Sequence, residues 1–147
     1  MPDSVFSRII AGELPSAKVW EDDDLLAILD LQPVNKGHVL ILAKCECADI
    51  RDVADSILAK VLPLARDVGI ALCEAFGYSG FNIHQSNGVA AGQDVMHYHL
   101  HVWPRREKAE VRLVFRDEPE YEGNELSEVA EQLSKAVLSV RSQDAAV

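Results

Sequence analysis

Apolar positions recur along the chain with two different periods, and the points where the period changes divide it into elements. Residues 4–12, SVFSRIIAG, read as a short helix closed by Gly12, with Glu13 to Ser16 forming a turn. AKVWED (17–22) and LLAILD (25–30) are strand-length stretches separated by the acidic turn of Asp22, Asp23 and Asp24, and GHVLILAK (37–44) supplies a third strand. Between residues 53 and 76 the period lengthens. Ile57, Val61, Leu64, Val68 and Leu72 lie three or four apart, the spacing of one long amphipathic helix. Gly77 is placed to end that helix, and Pro63 within it predicts a kink or a later start. GFNIHQ (80–85) and HYHLHVW (97–103) are the last two strands, joined by SNGVAAGQDVM. Asn124 can cap a final helix over about 124–142, striped with Leu126, Val129, Leu133, Val137 and Val140. With no internal repeat or linker, the expectation is one α+β domain over 1–147, built on an antiparallel sheet of about five strands.

One strand carries unusual chemistry. In HYHLHVWPR, His97, His99 and His101 alternate with Tyr98, Leu100 and Val102, so the three imidazoles are expected on one face and the apolar residues on the core side. A metal site, a nucleophile with helpers and a merely polar strand face all fit that alternation. At about 3.3 Å per residue the outer pair is roughly 13 Å apart, whereas zinc–nitrogen bonds are about 2.1 Å. One ion does not span the three, and a division of roles among them fits better.

Composition narrows the partners. The 147-residue chain is 48% hydrophobic and 26% charged, ordinary for a globular protein. Its net charge of −10 argues against wrapping a nucleic-acid polymer, which requires many Lys and Arg. A small anion needs only local donors and stays possible. Arg105, Arg106, Lys108, Arg112 and Arg116 form a basic run that reads as a solvated segment before it reads as a funnel for anions. Cys45, Cys47 and Cys73 are odd in number and lack finger spacing, so reduced thiols in a cytoplasmic protein are expected. The N-terminal residues show neither a signal peptide nor a membrane anchor.

The loop ahead of the histidines adds a second signal. Gly88 and Gly92 bracket small residues in SNGVAAGQDV, which lets backbone N–H groups approach an anion. Glycines in a connection usually serve only the turn, but this loop feeds directly into the histidine strand. A phosphate held there would lie beside imidazoles that are neutral at cytoplasmic pH and able to form a phosphoramidate later opened by water.

Taken together, HYHLHVW, the preceding AGQDVM, the block LDLQPVNKGHVLILAK and the start SVFSRIIAGELPSAKVWEDDDLLAILD resemble the histidine triad superfamily, over about residues 4–106. The resemblance implies that His99 attacks the α-phosphorus of a purine nucleotide, that His101 contacts the phosphate and that His97 holds the site together. It implies that His38 supports the triad, that Asp30 binds the ribose, and that Phe6, Ile9, Ile28 and Leu31 line the base pocket. Ser86, Gly92, Gln93 and Asp94 would border the phosphate. Each has a plainer competitor: Asp30 as a turn cap, Phe6, Ile9 and Ile28 as core, His38 as a satisfied buried histidine. His84 falls outside every motif and reads as structural or exposed.

The resemblance further implies a hydrolase of the phosphoramidase or dinucleoside polyphosphate type, since His101 stands where the transferase branch has glutamine. A homodimer is implied too, its sheet extended across the dimer. No cofactor is expected. Many bacterial relatives bind structural zinc with two cysteines and a histidine, but Ser4, Ser7 and Glu46 stand at those positions and no metal is expected. Ser86 and Asp94 also depart from the usual phosphate-loop residues. They motivate a second reading, a nucleotide-binding regulatory module with negligible turnover.

Overall fold

The computed structural model describes residues 4–111 and 121–144. Five strands form one sheet in the order β1-β2-β3-β5-β4, every neighbouring pair antiparallel. They are β1 (Lys18–Glu21), β2 (Leu25–Leu29), β3 (Val39–Ala43), β4 (Gly80–His84) and β5 (His99–Arg105). The central strands β2 and β3 read LLAIL and VLILA because both of their faces are covered. On one face Leu25, Ala27, Val39, Ile41, Leu100 and Val102 pack against helix α2, Asp55–Phe76. On the other, Leu26, Ile28, Leu40 and Leu42 pack against Phe6 of the short helix α1, Val5–Ile10. That second face also carries the histidines, since His99 lies opposite Leu42 and His101 opposite Leu40.

Helix α2 buries Val61, Ala65, Val68 and Leu72 and ends at Gly77, whose N–H returns to Cys73 O. It does not restart at Pro63. The helix is continuous through that residue, which stands on its exposed side and removes one backbone donor there. Gly69 faces β4 so closely that a Cβ would fall 2.4 Å from the Phe81 ring. Glycine is what lets helix and strand approach here.

Two further expectations are corrected. Cys45 and Cys47 are joined as a disulfide, not held as reduced thiols, with Cα atoms 5.4 Å apart. Cys47 N–H turns back onto Cys45 O and folds the segment sharply enough to bring the sulfurs together. Cys73 is free, and the cysteines carry no argument about compartment. His97, in turn, precedes β5. Its N–H bonds Val95 O, and Tyr98 N–H bonds Cys47 O, so the ladder begins only at His99.

Two compact units divide the chain, Met1–Arg112 and Leu113–Val147. In the second, α3 (Glu125–Asp144) begins where Asn124 O accepts from the N–H groups of Ser127 and Glu128. Its stripe, including Leu126, Leu133 and Val140, is exposed. Among the described residues no helix is long and apolar enough to cross a membrane.

Candidate active site

Two chains of hydrogen bonds fix the imidazoles. Nδ1 of His99 lies 2.7 Å from the backbone carbonyl of His97. A carbonyl only accepts, so the ring carries its proton on Nδ1 and leaves Nε2 with a free lone pair. The ring is buried at the start of β5, with the edge of Phe6 5.0 Å away between centroids. Burial pushes its pKa below the ordinary imidazole value, while the Asp30 and Asp94 carboxylates oppose the shift.

His38, on the turn before β3, receives the Val34 N–H on Nδ1 at 3.1 Å. Its own proton therefore sits on Nε2, 2.8 Å from Nδ1 of His101 and 3.5 Å from Oδ2 of Asp30. His101 accepts on Nδ1, so its N–H is Nε2, on the ring edge away from His38. Burial first, then the neighbouring His99, His38 and His84, bring the pKa of His101 down to about 3. Burial likewise lowers His38 and His97. The cluster is built to stay neutral.

His97 is spent on structure. Its Nε2–H donates to Ala43 O at 2.7 Å, leaving Nδ1 to accept from the Ser7 hydroxyl at 3.3 Å, which in turn lies 2.9 Å from Ser4 Oγ. Ser4 also caps α1 by accepting the Ser7 N–H. These two hydroxyls, with Glu46 exposed, do not fit a zinc ion, because a serine hydroxyl is a poor ligand beside a thiolate and the two are bonded to each other, with Ser7 bonded to the His97 nitrogen they would share. The closest ligand-type cluster among the described residues is Asp30, His38 and His101, whose polar atoms lie within 4.8 Å. A cation there would have to displace the proton shared by the two imidazoles.

The glycine loop is a 3-10 turn, Val89–Ala91, between Gly88 at φ 88° and Gly92 at φ 81°, left-handed values that a side chain would strain. Gln93 does not offer its amide to the open side. It is buried, accepts the Gly88 N–H on Oε1 and donates Nε2 to Ala48 O and Val95 O, latching the loop to the body. Gly92 and Asp94 are exposed at the loop's exit. Phe6, Ile9 and Ile28 form one apolar patch beside His99, whereas Leu31 is 92% exposed and stands apart from it. Asp30 caps the turn, Oδ1 accepting the Gln32 N–H, while Oδ2 faces His38.

One member of the cluster was not read from the sequence as part of the site. His84 pairs across the ladder with His101, and its ring stacks on Trp103 at 4.6 Å. Its Nε2 lies 3.1 Å from Ser86 Oγ. The available signal was the register: strand β4 alternates so that Asn82 and His84 share a face with His101 and Trp103. The basic run is otherwise employed. Arg105 Nη2 donates to the carbonyls of Glu107, Lys108 and Val111, and Arg106 lies over the Tyr78 ring; Arg112 and Arg116 are outside the described residues. A cavity of about 870 Å³ opens elsewhere, on the α2 side of the sheet, between Trp20, Leu29, Pro63, Leu64, Leu72 and Phe76, away from the imidazoles.

Comparison with known proteins agrees with this constellation. The HIT domain description matches residues 11–108, and the chain belongs to the HIT, or histidine triad, family. It is 39% identical over 106 residues to the adenylylsulfatase HINT3 of Arabidopsis thaliana, spanning 72% of this chain and 54% of that protein. To the adenosine 5′-monophosphoramidase HNT1 of Saccharomyces cerevisiae it is 36% identical over 104 residues, 71% of this chain and 63% of that one. The crystal structure of a HIT family protein from Bacillus anthracis superposes with a TM-score of 0.83 at 31% identity, covering 92% of this chain and 97% of that chain. The five-stranded antiparallel sheet with its helices is thus the HIT-family fold.

Proposed function

We propose that this protein is a nucleotidyl hydrolase that cleaves a purine nucleoside phosphoramidate or dinucleoside polyphosphate at the α-phosphorus. The observation that carries the reading is the His99–His97 hydrogen bond, which leaves the Nε2 lone pair of a buried, neutral imidazole available. In the first step Nε2 bonds to phosphorus and the bond to the leaving group breaks. His101, whose proton is on Nε2, meets the phosphoryl oxygen or protonates a departing amine. Water then attacks phosphorus, the N–P bond breaks, and a nucleoside monophosphate leaves. His38 holds the His101 tautomer, and Asp30 takes the ribose.

Phe6, Ile9 and Ile28 take the base, and the Gly92 and Ser86 backbone and hydroxyl face the phosphate. The names of the Arabidopsis and yeast relatives support adenylate-type substrates. A fluorogenic adenosine phosphoramidate tests the reading, with turnover by the wild type and its loss in His99→Ala expected.

A second reading, a nucleotide-binding regulatory module, is favoured by Asp94, an exposed carboxylate at the loop exit whose charge reaches His99. Tight AMP binding without product release from any amidate or anhydride would select it. We also infer a homodimer, supported by the exposed Leu62 and Ile70 on α2 and Ile83 on the edge strand β4. Light scattering at micromolar concentration should give twice the chain mass, and a monomer would contradict this.

A further inference from the structure

We propose that His84 and Ser86 form the leaving-group side of the site and select substrates whose leaving group is an oxyanion, a phosphate or sulfate in anhydride linkage, over those that release an amine. The proposal rests on the hydrolase reading above and names the substrate class of that same site.

The order of groups across the sheet face carries it. The apolar patch of Phe6, Ile28 and Leu42 lies over β2 and β3, the attacking His99 and its partner His101 are on β5, and His84 is on β4 beyond them. A nucleotide with its base on the patch reaches His99 from the β2–β3 side, and the side chains flanking the histidines on the other side are those of β4. His101 has its Nδ1 held by His38 at the head of β3, so its Nε2–H is on the ring edge away from His38, and its cross-strand partner on β4 is His84. The rings of His84 and His101 are 5.9 Å apart, and Ser86 Oγ is 3.1 Å from His84 Nε2.

His84 is also built to stay where it is. It is half-buried, and its ring lies within 19° of the Trp103 plane, which fixes its tilt. The bond between His84 and Ser86 uses one proton, so the pair presents the departing group one further donor: the Ser86 hydroxyl when His84 Nε2–H donates to it, or His84 Nδ1–H when the hydroxyl donates to Nε2. When an anhydride is cleaved, the His99 Nε2–phosphorus bond forms and the phosphorus–oxygen bond breaks. The electron pair leaves on the departing oxygen, and that negative charge is what such a pair stabilises. An amine departs neutral once His101 has protonated it and gains little from a second imidazole.

The test compares wild type, His84→Ala, His84→Gln and Ser86→Ala on two substrates sharing one adenylyl group, adenosine 5′-phosphosulfate and adenosine 5′-phosphoramidate. The expected result is that His84→Ala lowers kcat/KM for the phosphosulfate by about tenfold or more and leaves the amidate within about twofold. Ser86→Ala, which also removes the hydroxyl facing the shared phosphate, should lower both substrates and the phosphosulfate more, and His84→Gln, which keeps a donor, should recover part of the loss. Equal losses on both substrates, or none, overturn the proposal. Should the wild type turn over neither, the hydrolase reading fails separately, and the leaving-group side is read from binding. ADP should then bind more tightly than AMP, with His84→Ala erasing the difference; an unchanged ratio overturns the assignment.

Discussion

The imidazole of His99 donates from Nδ1 to the carbonyl of His97, two residues earlier in the same chain, across 2.7 Å. That carbonyl is itself fixed because the His97 ring is clamped between Ala43 O and the Ser7 hydroxyl. The free nitrogen of His99 is thus set by three elements at once: the first turn of α1, the end of β3 and the start of β5. Preorganisation of this kind removes the reorganisation that a mobile imidazole would need before attack.

His38 should matter through the proton it places. Replacing it by leucine removes the Nε2–H that fixes the His101 tautomer, and kcat should fall by roughly 10²-fold. Nucleotide affinity should stay within about threefold, since the apolar patch and the glycine loop are untouched. Steady-state kinetics with a separate AMP titration checks the split. A loss confined to KM would place His38 in binding.

Acid should destabilise the fold before it titrates the paired carboxylates. His97, His99, His101 and His38 all have folded pKa values below the ordinary 6.5, His101 at about 3. Between those values and 6.5 the unfolded chain binds more protons than the folded one, so stability rises with pH. It is fully present above about 6.5 and is lost as pH falls below it. Carboxylates such as Glu21, held low by Lys18 and Lys44, add their own loss only below 4.5. Urea midpoints at pH 7, 6 and 5 should decline in sequence, and His101→Asn should flatten the decline. A flat profile in the wild type would contradict the buried neutral cluster.

Gly69 should resist the substitution that helix propensity favours. Alanine is better than glycine within a helix by about 1 kcal/mol, but its Cβ would meet the Phe81 ring at 2.4 Å. Overpacking of that kind costs about 1–3 kcal/mol, so Gly69→Ala should be net destabilising by about 1 kcal/mol. Pairing it with Phe81→Leu should recover part of the loss. Thermal melting of the two variants measures both.

Much of this was legible because hydrophobic period reports burial. The stripe of α2 follows from spacing, its stop from Gly77, and the strands from apolar runs and alternation bounded by turns. Pro63 did not delay the start of the helix, because its exposed position lets the helix absorb a missing donor. The alternation HYHLH overran the strand by two residues, since period two says which residues share a face but not where pairing begins. Gln93 looked like an open phosphate neighbour and is a latch, because polarity does not reveal which backbone groups need a partner. Leu31 carried the right chemistry for a base pocket but extends past the end of β2 into solvent. His84 was invisible for a different reason: its neighbours His101 and Trp103 are brought to it by cross-strand register, which no single segment encodes.

The most direct test of the central claim is to mix the protein with an adenosine phosphoramidate, quench within a turnover and map the adenylylated residue by peptide mass spectrometry. The account predicts one adenylyl group on His99, formed and lost at rates that match turnover. It also predicts that His99→Ala loses at least about 10³-fold in activity. Full turnover by His99→Ala, or an adduct carried competently by any other residue, would contradict it.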